Sequence, residues 1–218
     1  RGLLPAMGAP PTVVAPMKAA PAVAEAVMTT LDPAPANGEH LRGAGRTQLV
    51  EAMPLSLLDE PLAYIFADHF RQRTICSALR RFALAGKVDR HEAETVAAFL
   101  KHDVALDHED EEMDLFPAVR RRALHGDNLG GILARLLEDH RLAIPVVEQI
   151  VAELSCQPAK VVQVGSAVRT LMETYASSES GHLALENGIV LAIARVRLTR
   201  ADLEVMSRRM KARRGLAH

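Results

Sequence analysis

The chain has 218 residues, which is enough for one domain of ordinary size with a tail. Its 26 basic and 27 acidic residues nearly balance, so its charge points to neither a nucleic-acid nor a membrane partner. No apolar run approaches the roughly 18 residues that a membrane span needs. The N-terminal sequence is broken by prolines and is unlike a secretory signal. We therefore expect a soluble, cytoplasmic protein.

Residues 1–55 are rich in Pro, Ala and Gly, a composition that opposes compact folding and predicts a flexible arm or linker. Beyond this arm, scarce aromatic residues and abundant Ala, Leu, Val and Glu favour helices over strands. Helical periodicity predicts four long helices, at about 60–85, 89–124, 127–154 and from 158–166 to 198, and a short fifth at 199–214. Short connections make neighbouring helices antiparallel. We predict an all-α fold, an up-down-up-down four-helix bundle over residues 56–215 with a short C-terminal helix.

Local signals place several helix ends. Gly86 is predicted to end the first helix, Asp89 to begin the second, and Thr199 to cap the short last one. The start of the fourth helix is open between residues 158 and 166. We favour Ser166, because a rise of about 1.5 Å per residue then brings His182 nearly level with His140.

Four of the nine histidines lie on apolar helix faces, one on each long helix: His69, His108, His140 and His182. One such histidine is more often a hydrogen-bonded core residue than a ligand. However, Glu112 follows His108 by four residues and Glu186 follows His182 by four, and this spacing places each pair on one helix face. A buried carboxylate needs a cation or several hydrogen bonds to offset its desolvation. The pattern therefore favours a metal site.

Six ligands at one level are too many for a single zinc ion, and two metals bridged by the carboxylates fit better. Imidazole and carboxylate together suit iron or manganese. Cys76 and Cys156 form no CxxC pair, so neither a disulfide framework nor a cysteine-based zinc site is predicted. A metal-free bundle that serves as an interaction module remains the alternative.

Four segments resemble the hemerythrin-like HHE cation-binding family: DHF at His69, HEDEE followed by MDLFP at His108, EDHR at His140, and HLALE from His182 to Glu186. The resemblance covers about residues 57–215. It implies two non-haem iron ions, bridged by an oxo or hydroxo ligand, with manganese or zinc as possible substitutes. By position, the four histidines would be terminal ligands, and Glu112 and Glu186 would bridge the metals.

This sequence also departs from the family's oxygen carriers. Those proteins have HxxxH on the third helix and an Asp five residues after the last His, whereas Ile144 stands four residues after His140 and Glu186 replaces the later Asp. The resemblance is closer to bacterial di-iron proteins of nitric oxide stress and iron–sulfur repair. Those proteins carry a cysteine pair in an N-terminal domain, and no cysteine precedes Cys76 here.

We expect a stress-response protein that binds or senses dioxygen, nitric oxide, peroxide or iron. The alternative is an enzyme-like protein for nitric oxide or peroxide detoxification or for iron–sulfur repair, so enzymatic activity remains open. The expected partner is a small diatomic molecule or peroxide, with no nucleic acid and no membrane. A protein partner of the arm and the oligomeric state are left open. Near the site, Tyr175 and Glu179 are candidates for supporting the ligands, and Glu111 is expected to face solvent.

Overall fold

The computed structural model describes residues 50–216. Most of these residues are helical, in α1 (Pro61–Ala85), α2 (Arg90–Asp110), α3 (Phe116–Arg122), α4 (Leu129–Ser155), α5 (Ser166–Leu185), α6 (Leu191–Arg197) and α7 (Arg200–Arg213). Two π-helical segments, Glu111–Leu115 and Glu186–Val190, join α2 to α3 and α5 to α6. Short 3₁₀ turns, Leu55–Asp59 and His125–Asp127, precede α1 and α4.

The helices form the four rods of a bundle. The rods are α1, α2 with α3, α4, and α5 with α6, and α7 is the short C-terminal helix. Along the bundle, α1 packs chiefly on α5, α2 on α4, and α4 on α5. Connections of a few residues make consecutive rods antiparallel. The predicted helical bundle is confirmed.

Three predicted helix ends are confirmed. Gly86 ends α1 with a φ of +65°, a left-handed conformation that glycine adopts without a Cβ clash. The Asp89 side chain accepts a hydrogen bond from the backbone of His91 at the start of α2. Thr199 and Asp202 form a reciprocal capping box at the start of α7. The fourth rod begins at Ser166, the later of the starts considered.

A small sheet at one end of the bundle was not predicted. Its strands, β1 (Lys87–Asp89) and β2 (Val161–Gln163), pair antiparallel with Val88 opposite Val162. Three residues are too few to show the alternating pattern by which a strand is recognised from sequence. The pair ties the α1–α2 connection to the α4–α5 connection and so aligns the rods at that end.

Two apolar clusters fill the interior, one toward each end of the bundle. The cluster nearer the strands includes Ile75, Phe82, Leu100, Ile150, Leu154 and Met172. The other includes Leu58, Ile65, Leu115, Leu136, Val190 and Met210. On α1, His69 lies between Ile65 of one cluster and Ile75 of the other. The space between the clusters is therefore where buried polar side chains collect.

The predicted arm lies largely outside the described residues, which begin at Val50. The predicted domain boundary at residue 55 therefore stays a prediction for residues 1–49. Val50 itself is buried against the cluster nearer the strands. The backbone oxygen of Glu51 accepts a hydrogen bond from Arg71 Nε at 3.0 Å, so the residues just before α1 pack on the bundle.

The two cysteines differ sharply in accessibility. Cys76 is buried on α1 and Cys156 is exposed at the end of α4, and both are free thiols. Burial, with the nearby Glu179 carboxylate as a smaller contribution, raises the pKa of the Cys76 thiol to about 12. Only a thiolate reacts readily with alkylating reagents. Native protein treated with iodoacetamide at pH 8 should therefore gain one label, at Cys156, as read by peptide mass spectrometry.

Unfolding the protein in guanidinium chloride before labelling is the control, and it should give labels at both cysteines. Equal labelling of Cys76 and Cys156 in the native protein would contradict the burial of Cys76 in the core.

Candidate metal centre

Imidazoles from three rods meet in the space between the apolar clusters. They belong to His69 of α1, His140 of α4 and His182 of α5, which are at most 4% exposed. The Nε2 atoms of His140 and His182 are 3.0 Å apart. Two ligands that each lie about 2.1 Å from one ion are separated by about this distance. The two rings therefore aim at a common point.

Three carboxylates from the other elements close the site: Asp107 at the end of α2, Glu111 and Glu186. Glu111 faces two histidines at once, with Oε1 at 3.3 Å from His69 Nε2 and Oε2 at 3.4 Å from His140 Nε2. Glu186 does the same, with Oε2 at 3.5 Å from His69 Nε2 and 3.3 Å from His182 Nε2. Asp107 Oδ2 lies 3.9 Å from His69 Nε2. Each glutamate thus spans both sides of the site.

The two long composite rods contribute equivalent pairs of side chains. On one rod Asp107 and Glu111 are four residues apart, and on the other His182 and Glu186 are four residues apart. In both rods the π-helical segment begins at the glutamate. Such single π turns inside α-helices frequently mark functional sites. Asp107 therefore occupies the place on its rod that His182 occupies on the other.

This geometry differs from the predicted ligand register on α2. Glu111 was expected to face solvent, and this is wrong, because Glu111 is fully buried and lies among the histidines. Glu112, predicted as a bridging ligand, has a side chain that is 40% exposed, and it accepts a hydrogen bond from His140 Nδ1 at 2.7 Å. The structure thus places Glu111 where the pattern placed Glu112.

His108 is the other predicted ligand that lies outside the converging atoms. Its ring stacks on that of His140, with centroids 3.7 Å apart and planes 8° apart. Burial, and next the neighbouring His140, lowers the pKa of His108 to about 3, so its ring is neutral at pH 7. Neither group of potential ligand atoms found among residues 50–216 includes His108. It packs against a candidate ligand and so supports its position.

The signal that could have found Asp107 is the apolar face of α2. Val96, Leu100 and Val104 are buried, and steps of three and four from Val104 reach Asp107 and Glu111. The pair shifted by one residue, His108 with Glu112, has the same spacing of four. It contains a histidine in place of Asp107, and histidine is the commoner metal ligand. Ligand chemistry and helix face therefore favoured different registers. The apolar face agrees with the side chains that the structure buries, Asp107 and Glu111.

Hydrogen bonds to the outer ring nitrogens orient two of the imidazoles. The Nδ1–H of His69 donates to Asn187 Oδ1 at 2.9 Å, which leaves Nε2 free to face the carboxylates. The Nδ1–H of His140 likewise donates to Glu112. Gln72 Nε2 donates to Asp107 Oδ2. A partner on the far nitrogen is the usual arrangement of a metal-binding histidine, because it sets the tautomer and the ring orientation.

The carboxylates strongly influence one another's ionisation. Burial, followed by repulsion from Glu111, raises the pKa of both Glu186 and Asp107 well above the usual range. Burial acts in the same direction on Glu111, but hydrogen bonds from His140 and His69 lower its pKa. Three carboxylates this close cannot all be ionised without a compensating positive charge.

The unsatisfied polar atoms of the site show that its residues suit cations. Within residues 50–216, both carboxylate oxygens of Glu186, Oε2 of Glu111, Nδ1 of His182 and Oε1 of Glu179 are buried without a hydrogen-bond partner. Buried polar atoms are rarely left unpaired in native proteins. Two sets of converging atoms are present: Glu111, His140, His182 and Glu186, and His69, Asp107 and Glu111. They share Glu111, as two adjacent cation positions with a common carboxylate would.

A cavity of about 230 Å³ adjoins the His140 and His182 side of the site. Apolar and hydroxyl side chains of α4 and α5 line much of it, including Ala143, Val146, Thr174 and Ser178. Tyr175 and Glu179 also line the cavity and are buried. Burial, with repulsion from Glu179, raises the pKa of Tyr175 well above its usual value. A small molecule has room beside the histidines.

Buried histidines and carboxylates that project inward from facing helices define a metal-binding helical bundle. The family model for the hemerythrin HHE cation binding domain matches residues 60–194, more than half of the chain. This chain belongs to that family. A search of curated proteins found no match. No helix within residues 50–216 combines the length and apolar character needed to cross a membrane.

Proposed function

We propose that this chain is a non-haem di-iron protein that binds or senses a small ligand, namely dioxygen, nitric oxide or peroxide. The observation that carries the proposal is the buried meeting of three imidazoles with glutamates that each face two of them. Both oxygens of Glu186 lack a hydrogen-bond partner within the described residues, and a bound cation would compensate the burial of this carboxylate.

The contacts support two cation positions, one with a single histidine and the other with two. His69 and Asp107 would hold one ion, His140 and His182 the other, and Glu111 and Glu186 would lie between them. This donor set of imidazoles and carboxylates suits iron or manganese better than a thiolate-preferring metal. Bound iron would supply redox chemistry and exchangeable positions for a small ligand. Glu112 and Asn187 would orient the ligating rings.

The cavity beside His140 and His182 has room for a small ligand, with a volume of about 230 Å³. A second cavity, of about 800 Å³, is lined by His108, Glu112 and His140 among others. Apolar Ala143 and Val146 suit a diatomic molecule, and the hydroxyls of Thr174 and Ser178 offer hydrogen bonds to peroxide.

Turnover of peroxide or nitric oxide is the second candidate, and Glu179 is the observation that favours it. This carboxyl group is 5% exposed, lines the cavity and has one oxygen without a partner within the described residues. A buried carboxyl at that position could exchange a proton with a molecule in the cavity. Such a group would serve a reaction more than simple binding.

Metal analysis tests the proposal. Protein purified after iron-replete expression should contain about two irons per chain by elemental analysis. His140→Ala should retain less than half of that iron, because Ala removes a nitrogen that aims at the shared point. His91→Ala, an exposed histidine on the same bundle, is the control and should match the wild type. Near-zero transition metal in the wild type would leave only a metal-free bundle.

Ligand assays separate sensing from turnover. In the iron-loaded wild type, dioxygen, nitric oxide or hydrogen peroxide should change the optical spectrum. A change that stops at one equivalent of ligand per centre supports binding or sensing. Consumption of many equivalents that falls in Glu179→Gln supports turnover. No spectral change with any of the three would contradict both.

A further inference from the structure

Arginines near the end of α7 reach the helix that carries Glu111. The guanidinium of Arg213 donates from Nε to Asp110 Oδ1 at 2.7 Å and also donates to Asp114. Arg214 donates from Nη2 to Asp110 Oδ2 at 2.7 Å, and Arg209 donates from Nη1 to Asp114 Oδ1 at 2.9 Å. We call this set of three arginines and two aspartates the α7 clamp.

The two aspartates of the α7 clamp are buried, and two of its arginines are nearly so. Asp110 and Asp114 are at most 4% exposed, and the side chains of Arg213 and Arg214 are 14% and 11% exposed. Burying a carboxylate is unfavourable unless a cation and hydrogen bonds compensate it. By contrast, the Arg200–Glu204 pair on the same helix has an arginine that is 94% exposed, and such pairs contribute little. The pairs made by Arg213 and Arg214 are thus unlike an ordinary surface ion pair, whereas the side chain of Arg209 is 61% exposed.

The position of the clamp connects it to the metal centre. Asp110 immediately precedes Glu111, and Asp114 lies in the same π-helical segment, Glu111–Leu115. The two aspartates face α7, while Glu111 faces His69 and His140. A π turn is a rare helical geometry, and contacts from outside the helix add to its stability. The arginines supply such contacts on both sides of Glu111.

We propose that Arg213 is a positioning residue for the metal centre, and that metal binding and the docking of α7 are thermodynamically coupled through the clamp. The inference rests on the proposed metal centre. By holding Asp110 and Asp114, Arg213 keeps the π turn in the geometry that directs Glu111 inward. Coupling is reciprocal, so an ion bound by Glu111 stabilises the docked α7 by the same factor by which docked α7 strengthens metal binding.

The first test compares the affinity for Fe²⁺ of the full chain and its variants, by anaerobic competition with a coloured chelator. Arg213→Gln should weaken binding by about tenfold, within the usual range for groups that support a ligand or couple two sites. Asp110 keeps Arg214 and Asp114 keeps Arg209 in this variant, so the fold is expected to survive. Arg213→Lys should restore part of the affinity, and Arg208→Gln, an exposed arginine of the same helix, should match the wild type.

The second test needs no variant. Amide hydrogen exchange of wild-type α7 should slow several-fold when Fe²⁺ is added, and exchange over β1 and β2, at the far end of the bundle, should change little. A lower melting temperature of Arg213→Gln with unchanged Fe²⁺ affinity, together with unchanged exchange in α7, would show a clamp that is structural only. If the wild type binds no Fe²⁺, both the proposed function and the clamp's role are overturned. If the wild type binds Fe²⁺ and Arg213→Gln binds it equally well, only the clamp's role is overturned.

Discussion

Replacing Glu111 with glutamine should reduce the iron content of the protein from about two ions per chain to less than one. The Glu111 carboxylate is the group common to both sets of converging atoms. Its two oxygens lie 3.3 and 3.4 Å from nitrogens of His69 and His140. Glutamine keeps the size of the side chain but removes the charge and one acceptor oxygen. Elemental analysis after iron-replete expression measures the effect.

Two neighbouring glutamates give a graded comparison for this substitution, and Glu109 is the control. Glu112→Gln should weaken iron binding by only about 10- to 100-fold, as is usual for a group that orients a ligand, because Glu112 contacts the outer nitrogen of His140. Glu109→Gln, on the exposed surface of α2, should leave the iron content unchanged. The reverse ranking, with loss in Glu112→Gln and retention in Glu111→Gln, would restore the ligand register predicted from the sequence.

Removing the metal should lower the melting temperature by about 10 °C. A ligand at about 1,000 times its dissociation constant stabilises the fold by about 4 kcal/mol, and about 1 kcal/mol shifts the melting temperature of a domain of this size by roughly 2–4 °C. The structural cause is the packing of Asp107, Glu111 and Glu186, whose mutual repulsion a cation relieves. Thermal unfolding of iron-loaded and chelator-treated protein measures the shift.

The variant Glu186→Gln should change the melting temperature in opposite directions without and with metal, relative to wild type in the same state. In the metal-free protein this change removes one buried carboxylate from a repulsive group, so the melting temperature should rise slightly above that of metal-free wild type. The same variant should respond little to added iron, because Glu186 contacts both His69 and His182. Equal melting temperatures of wild type with and without metal would contradict a metal centre built into the core.

Much of the fold could be predicted because its signals are local. Gly86 ends α1, Asp89 caps α2 and Thr199 caps α7, since the backbone conformation at each position depends on that residue and its near neighbours. The small sheet was missed because its strands are three residues long. Its pairing depends on where the bundle brings two loops together.

Some residues of the candidate site could likewise be predicted from local pattern, and others depend on packing. The placement of His69, His140, His182 and Glu186 in one buried space agrees with the helical pattern. Asp107 and Glu111 were missed, because the run from Asp107 to Glu112 contains two overlapping pairs with a spacing of four. Ligand type favours His108 with Glu112 and the apolar face of α2 favours Asp107 with Glu111, so the sequence left the choice to the packing of α2.

By itself, the sequence determined the four rods, the apolar faces that bury the histidines, and the family to which the chain belongs. Periodicity, capping and residue type are properties that the chain carries along its length. Only the tertiary structure decided which side chains of α2 face inward. Neighbouring residues on a helix point about 100° apart, so a shift of one residue in the inward face exchanges Glu112 for Glu111. That face is set by the packing of α2 against the other rods, which are distant in the chain.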